Sequence, residues 1–279
     1  MEPTTQASAV AGGQESWTPT APDHSPTPEL LLRALQSADD YRQAIELQRL
    51  VWGESFQEVV PAAILKVTQR VGGVCAGAFD AAGVLQGFVY GITGLDAGRR
   101  VHWSHMLAVR PGLRDRGIGR QLKQYQRVLL EDSGVEWLCW TFDPLVARNA
   151  HLNVNVLGVR IREYVADMYE GSGSPLHASG TDRLVAVWPV RENGVQPKTI
   201  SLYDDAPLVK PDLLHAPVLR IEIPQDIDRL DLQEARHWRL STREAFQACF
   251  GAGYEVYGFY RGSGDRCYYV MMQSAERTR

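Results

Sequence analysis

The sequence predicts a mixed α/β fold: a mostly antiparallel sheet flanked by helices, then a small C-terminal strand-helix-strand-strand unit. Three observations predict it. Apolar residues recur with period two in short runs from Val74 onward, as in half-buried strands. A strongly amphipathic helical stretch follows Gly117 and Gly119. The order strand, helix, glycine, strand, loop, strand occurs twice, over 135–190 and again over 218–272.

Taken in order, residues 1–28 are rich in Ala, Thr, Pro, Ser and Gly, hold no Lys or Arg, and read as a disordered tail. Residues 30–52 read as a short strand and a helix, with Ile45, Leu47, Leu50, Val51 and Trp52 on its buried side. Pro61 opens a second helix reaching about Arg70, because a proline is tolerated in a first turn. Strands at Val74–Phe79 and Val84–Ile92 form a hairpin about the turn ending at Gly83. Val101–Val109 is a third strand, stopped by Pro111. A helix runs from Gly117 to about Glu131, and a strand from Val135 to Phe142 ends at Asp143-Pro144. The next helix, over 146–157, stops at Gly158, a natural C-cap. Strands Val159–Tyr164 and Leu184–Val190 enclose a Gly/Ser-rich loop and complete a domain over 29–190. Residues 191–216, with Asn193-Gly194 and several prolines, read as a linker. Residues 217–275 form the C-terminal βαββ unit: strand Val218–Ile223, helix over about 226–250, strands Tyr254–Tyr260 and Arg266–Met272. The stretches LGVRIREY and GAGYEVYGFY suggest that this unit is a diverged half-repeat.

Composition narrows the function classes. Hydrophobic residues make up 44% of the 279, enough for a sizeable core, yet no apolar run is long enough for a membrane helix. A net charge of -4 gives no general reason to expect nucleic acid. Cys75, Cys139, Cys249 and Cys267 form no CxxC pair and read as buried thiols in a reducing compartment, so a cytoplasmic location is expected. No GxSxG or HExxH motif occurs, and neither a hydrolase nor a metal enzyme is expected.

The chemistry concentrates in LAVRPGLRDRGIGRQLKQYQRVLL, Leu107 to Leu130. A strand ends, a short turn follows, and a helix starts at glycines. Such a turn aims backbone N–H groups at one point, where the helix dipole also favours negative charge. Ile118, Leu122, Tyr125 and Leu129 recur at helical spacing toward the sheet, and Arg116, Arg120, Lys123 and Arg127 recur on another face. With Arg114, that basic stripe suits a ligand carrying several phosphates. Gly112 and Gly117 have P-loop spacing, but Ile118-Gly119 stands where Lys-Ser/Thr is required. Gly117-Ile118-Gly119 opens a dinucleotide fingerprint, but Leu122 replaces its third glycine.

The pattern Arg114-x-x-Gly117-x-Gly119, after a strand ending Leu-Ala-Val and before an amphipathic helix, resembles the acetyl-CoA signature of the GNAT superfamily of N-acetyltransferases. The element order over 30–190 is similar to that fold, and WTFDPLVARNAHLNVNVLG resembles a less studied bacterial branch with an extended C-terminal part. The resemblance implies that backbone amides from Arg114 through Asp115, Arg116, Gly117, Ile118 and Gly119 to Arg120 cradle the pyrophosphate. It implies that the strand edge at Leu107, Ala108 and Val109 pairs with the pantetheine arm, and that the Leu107 N–H polarises the thioester carbonyl. Acyl transfer to an amine also needs a base. Alternation places Val101, Trp103, His105, Leu107 and Val109 on one strand face and His102 on the other. His105 lies nine residues before Arg114, the offset at which a member of the superfamily carries a catalytic histidine, so it is the candidate base; a packed core histidine is the other reading. The tyrosine that many members use as acid is replaced by Val154, which leaves Tyr164 as candidate acid. Asn149 is the candidate for the pantetheine amides.

The expected activity is direct transfer from acetyl-CoA to a small amine, without a metal; a CoA-binding module without catalysis is the alternative. Glu54 and Arg183 are candidates for the acceptor side, though Glu54 reads better as a solvated loop residue and Arg183 reads at least as well as part of a plain turn with a local Asp–Arg pair. The C-terminal helix would bury Leu230, Ala235, Trp238, Ala245 and Phe246 against the first domain or against another chain, which leaves a homodimer open.

Overall fold

The computed structural model describes residues 29–191 and 203–274. The expected tail (1–28) and most of the expected linker (192–202) lie outside them. Ten strands and five helices follow in chain order. They are β1 (Leu31–Ala34), α1 (Ala38–Trp52), α2 (Ala62–Arg70), β2 (Val74–Phe79), β3 (Leu85–Asp96), β4 (Arg99–Val109), α3 (Ile118–Leu130) and β5 (Trp137–Phe142). Then come α4 (Ala147–Ala150), β6 (Arg160–Val165), β7 (Arg183–Pro189), β8 (Val218–Pro224), α5 (Leu232–Gly251), β9 (Tyr254–Arg261) and β10 (Arg266–Gln273).

The first seven strands form one sheet in the order β1-β2-β3-β4-β5-β7-β6, and β8-β10-β9 form a second, small sheet. All pairs in the large sheet are antiparallel except β4–β5. This is the expected mixed, mostly antiparallel architecture with a small C-terminal βαββ unit. Two apolar clusters cover it. One joins α1 and α2 to β2, β3 and the end of β4 through Tyr41, Leu47, Leu65, Phe88, Tyr90, Met106 and Ala108. The other joins α3 to β5 and β7, and it continues without a break into the C-terminal unit through Ile221, Phe246, Tyr254 and Tyr269. The two sheets thus share one core.

Helix α1 is set by a capping box: Ser37 accepts from the Asp40 N–H while Asp40 accepts from the Ser37 N–H. Arg33 forks onto Asp40 at 2.6 and 3.0 Å, tying β1 to the cap. The buried face of α1 is Tyr41, Ala44, Leu47 and Gln48, not the predicted Leu50, which is half exposed. Gln48 is buried because its amide answers both the carbonyl and the N–H of Val60 in the loop after α1.

The predicted helix over 146–157 is only one α turn, followed by a π-helical segment from His151 to Val156. The Asn153 amide donates to the Asn149 carbonyl at 2.8 Å and so competes for the acceptor that an α turn would use. Its oxygen accepts from the Trp140 indole at 2.9 Å, fixing the segment to β5.

The half-repeat suggested by sequence has the same topology in both copies: β5-β7-β6 and β8-β10-β9, each antiparallel throughout. Gly158 and Gly253 both have positive φ, as the αL position after a helical segment requires. Four residues after each glycine the register of the following strand shifts by one, leaving Arg162 and Tyr257 as bulge residues.

Ion pairs bind α5 to the first domain. Arg239 forks onto Asp143 at 2.7 and 2.6 Å, and Arg243 reaches Asp167 at 2.7 Å and the buried Asp182. Breaking a buried pair leaves an uncompensated charge. Replacing Arg239 (Arg239→Leu) is expected to lower unfolding stability by about 3 kcal/mol, read by urea denaturation; a loss below about 1 kcal/mol would mean that apolar packing alone holds α5.

Candidate functional site

Strand β4 carries the site. It pairs with β3 along its whole length, but with β5 only at Val101–Trp137, His102–Leu138 and Trp103–Cys139. Beyond those residues the two parallel strands part, and β5 continues against β7 to Phe142. The facing edges of Ser104–Val109 and Trp140–Phe142 are therefore not paired with each other, and this parting is the candidate cleft.

The parting coincides with a bulge. Gly91 faces Ser104 and Tyr90 faces Met106, so His105 is the extra residue. A bulge inverts the side-chain phase, and it overturns the predicted single face for residues 101 to 109. Before it, His102 and Ser104 meet α3; after it, Met106 and Ala108 belong to the α1/α2 cluster, while Leu107 and Val109 pack against the α3-side core. The His105 ring is edge-on to Tyr90, 6.1 Å between centroids, and the Tyr90 hydroxyl pairs with Thr68 of α2 at 3.1 Å. His105 is thus half-buried on the α1/α2 face. Burial pushes its pKa below the ordinary value, and Glu58 in the α1–α2 loop partly offsets this.

At its far end β4 leads into the glycine turn. Pro111–Leu113 makes one 3₁₀ turn, Arg114 is extended, and Asp115 (φ 62°) and Gly117 (φ 79°) are left-handed. The first intrahelical bond of α3 runs from the Gln121 N–H to the Gly117 carbonyl at 3.0 Å, and no side chain caps the helix. The amides of Ile118, Gly119 and Arg120 therefore form an open helix N-terminus. A Cβ on Gly117 would meet nothing within 4 Å, so glycine is required there by its φ, and the space beside it is open. Arg114, Asp115 and Arg120 are exposed around the turn.

The basic stripe predicted on α3 is not one face. Lys123 is buried, 5% exposed, and Arg127 turns inward, its guanidinium 4.8 Å from the Trp188 ring centroid. The face toward the sheet is Ile118, Leu122, Lys123, Gln126 and Leu130, while Leu129 is 42% exposed. Sequence reasoning assigned Lys123 to the surface by residue type. The four-residue spacing of Ile118, Leu122, Gln126 and Leu130 was the signal that could have placed it inside.

Under the start of the cleft lies a buried polar chain. The Thr93 hydroxyl donates to the Gly72 carbonyl at 2.6 Å and so accepts from His102 Nδ1 at 2.8 Å. His102 Nε2 then accepts from the Gln126 amide at 3.0 Å. Both imidazole nitrogens are used in the neutral form, and burial, with Lys123 adding to it, lowers the His102 pKa to about 3.

On the other face, the β6–β7 loop closes against the α1–α2 loop. Ser55 Oγ donates to the Gly173 carbonyl at 2.8 Å, Ser174 Oγ to the Trp52 carbonyl at 2.7 Å, and the Gln57 N–H to the Ser172 carbonyl at 3.0 Å. The hydroxyls of Tyr169 in that loop and Thr141 of β5 pair at 3.0 Å. Between this loop and α5 is an open cavity of about 440 Å³ whose walls include Tyr169, His177, Arg236, Arg239 and Arg243.

The remaining candidates are placed as follows. Tyr164 is not set as an acid: its hydroxyl donates to buried Asp182, its ring stacks on Phe246 of α5, and burial followed by that bond raises its pKa. Val154 is 2% exposed within the core. Asn149 lies half-buried in the first turn of α4. Arg183 is buried, donating to the Asp182 carbonyl at 2.8 Å and to His177 Nε2 at 3.0 Å, and does not reach outward. Glu54 is exposed in the α1–α2 loop. Among the described residues no helix is long and apolar enough to cross a membrane, and no His, Cys, Asp or Glu side chains group as metal ligands.

No protein-family profile matches the sequence, and no curated protein does. Among solved structures the chain is similar to a GNAT superfamily phosphinothricin acetyltransferase from Sinorhizobium meliloti in complex with AcCoA: 18% identity, 61% of this chain and 94% of that one covered, TM-score 0.46. It is similar to the ribosomal-protein-S18-alanine N-acetyltransferase from Escherichia coli at 16% identity, with 61% and 99% covered and a TM-score of 0.43. For an aminoglycoside 6'-N-acetyltransferase complexed with coenzyme A the values are 14%, 59%, 99% and 0.44.

The His102 environment yields a pH dependence. With a folded pKa of about 3 against about 6.5 unfolded, its contribution is complete above pH 6.5 and is lost progressively as pH falls toward 3. Urea midpoints of the wild type are expected to fall between about pH 7 and about pH 5 more steeply than those of His102→Gln; equal slopes would show that His102 is charged inside the fold.

Proposed function

We propose that the protein is an acetyl-CoA-dependent N-acetyltransferase acting on a small amine. The observation that carries this is the continuity of β4: one strand forms a wall of the cleft and runs directly into an uncapped, glycine-led helix N-terminus. A ligand with an extended amide-bearing arm and a pyrophosphate fits both halves at once. The open amides of Gly117 to Arg120 would hold the pyrophosphate, with Arg114 and Arg116 adding charge and Asp115 setting the turn. The β5-side backbone of Leu107 and Val109, unpaired by β5, would take the pantetheine amides, with the half-buried Asn149 of α4 as a further candidate contact. Ala108, buried between the two, fixes the strand.

These placements support a direct transfer. The acceptor amine enters from the α1/α2 face between the loops that carry Glu58 and Tyr169, and His105 on that face takes its proton. A depressed pKa keeps His105 neutral near pH 7, as a base must be. The Leu107 N–H would polarise the carbonyl as the tetrahedral intermediate forms.

Acetyl-CoA is expected to bind in calorimetry with a Kd in the micromolar range, and Gly117→Val to weaken it at least about tenfold. Unchanged affinity in the variant would remove the glycine turn from the site. With an amine that supports thiol release, His105→Gln is expected to lower kcat about a hundredfold. Wild-type kcat/KM should fall as pH drops through a value below about 6.5, because protonated His105 cannot accept. Retained activity in the variant would return His105 to a packing role. Val154 in the core favours a second reading, a CoA-binding module without catalysis. Binding with no thiol release from any amine pool would select it.

A further inference from the structure

Lys123 stands where the cleft begins. From the α3 side its ammonium nitrogen donates to Ser104 Oγ of β4 at 2.7 Å and lies 4.0 Å from the Trp140 ring centroid of β5. These are the first residues on either strand past the last paired ones, Trp103 and Cys139. Lys123 therefore bridges the two walls at the floor of the cleft. Lysines are almost never fully buried without a carboxylate partner, and among the described residues none pairs with Lys123. The groups facing it are Gln126 on its own helix, His102 and Ser104 on β4, and Cys139 and Trp140 on β5, with the Asp96–Arg162 pair beyond Cys139. His102 is held neutral by its two hydrogen bonds and Gln126 Oε1 is buried without a partner, so the charge is met by the Trp140 ring and the Ser104 hydroxyl and by no carboxylate among the described residues. Burial accordingly pushes the Lys123 pKa well below its ordinary value.

The two faces of the cleft carry different groups. His105 comes from the α1/α2 face. Lys123 comes from the helix whose N-terminus forms the phosphate turn, which is the coenzyme side. Of the other candidate positions for an acid, one holds Val154, buried in the core, and Tyr164 has its hydroxyl committed to Asp182. We propose that Lys123, acting directly or through the Ser104 hydroxyl, is the proton donor to the departing thiolate of the coenzyme. The assignment rests on the acyl-CoA reading above. In the step, the amine nitrogen attacks the thioester carbonyl and a C–N bond forms. The intermediate collapses, the C–S bond breaks, and its electron pair goes to sulfur. The sulfur takes a proton from the Lys123 ammonium, leaving Lys123 neutral, while the proton of the attacking nitrogen passes to His105. Solvent restores both groups after coenzyme A leaves. Burial lowers the Lys123 pKa, so its ammonium gives up a proton more readily than an ordinary lysine would.

The chain has four lysines, Lys66, Lys123, Lys198 and Lys210, so NMR of protein carrying ¹³Cε-lysine resolves each, with Lys123→Met assigning the buried one. Lys123 is expected to titrate clearly below the others and to shift on saturation with coenzyme A. Titration alongside the other three, or no response to bound coenzyme A, overturns the proposal. In turnover, Lys123→Met is expected to keep acetyl-CoA affinity, lower kcat about a hundredfold and lose the fall in kcat at high pH that follows deprotonation of the acid. Lys123→Arg should not restore it, because a guanidinium does not give up its proton. Unchanged kcat in Lys123→Met also overturns the assignment. Absence of any acetyl-CoA binding heat in the wild type is a different failure: it removes the acyl-CoA reading itself.

Discussion

Two parallel strands that pair for three residues and then part are the constraint on which the rest of this molecule depends. Backbone N–H and C=O groups that lose their partner must find another, because leaving them unpaired in a protein interior costs about as much as a lost hydrogen bond. Strand β5 answers half of that demand by pairing with β7 on its far side, and β4 by pairing with β3. What remains is the inner edge of each strand beyond Trp103 and Cys139. The bulge at His105 falls one residue past Ser104, where the separation starts. A bulge bends its strand and strengthens the local twist, so the same extra residue that turns β4 away from β5 also sends Met106 and Ala108 into the α1/α2 core. Geometry and packing thus fix the cleft together, and it cannot be closed without re-pairing one strand and exposing two apolar side chains.

The C-terminal unit stabilises the far side of that cleft. Its helix α5 reaches two aspartates at strand ends: Asp143, directly after β5, through Arg239, and Asp182, directly before β7, through Arg243. Tyr164 on β6 joins the same network through Asp182. Tyr269 of β10 adds a bond to the Pro144 carbonyl at 2.8 Å. The strand that forms one wall of the cleft is therefore held at the end where it leaves the sheet, and the β6–β7 loop is held from below by the arginines while the α1–α2 loop meets it from above.

Element types and order were legible in the sequence because period-two runs and glycine stops report on local structure directly. The glycine turn was legible too, since the positive φ at Gly117 and the helix behind it are local events. The misplaced residues share a different cause. A strict alternation through β4 cannot foresee a bulge, which depends on the neighbouring strand. Lys123 was assigned to the surface because charge is normally solvated, yet Ser104 and Trp140, 19 and 17 residues away, supply its environment. Tyr164 read as a free strand-end tyrosine because Asp182 and Phe246 reach it only through tertiary contacts. Leu50 and Leu129 were placed inside by apolarity, while Gln48 and Gln126 took buried positions through hydrogen bonds that sequence does not display.

The repeated layout tells why parallel strands part in one place and stay joined in the other among the described residues. Val109-Arg110-Pro111-Gly112-Leu113 ends β4 with a 3₁₀ turn, and Val209-Lys210-Pro211-Asp212-Leu213 makes the same turn shortly before β8. In the first copy the strand before the turn has left its parallel neighbour by that point. In the second, Leu208 forms a parallel bridge to Arg220 in the middle of β8, and the Val209 N–H donates to the Arg220 carbonyl at 2.9 Å. Backbone left unpaired by the parallel neighbour beside β4 is satisfied within the chain beside β8. The second copy also passes from its turn to β8 within a few residues, with no glycine-led helix between them and so no open amides to receive an anion. The same strand-helix-strand-strand layout therefore serves two ends: parted from its parallel neighbour it leaves two strand edges unpaired with each other, and joined to it, with α5 lengthened to 20 residues, it makes a brace.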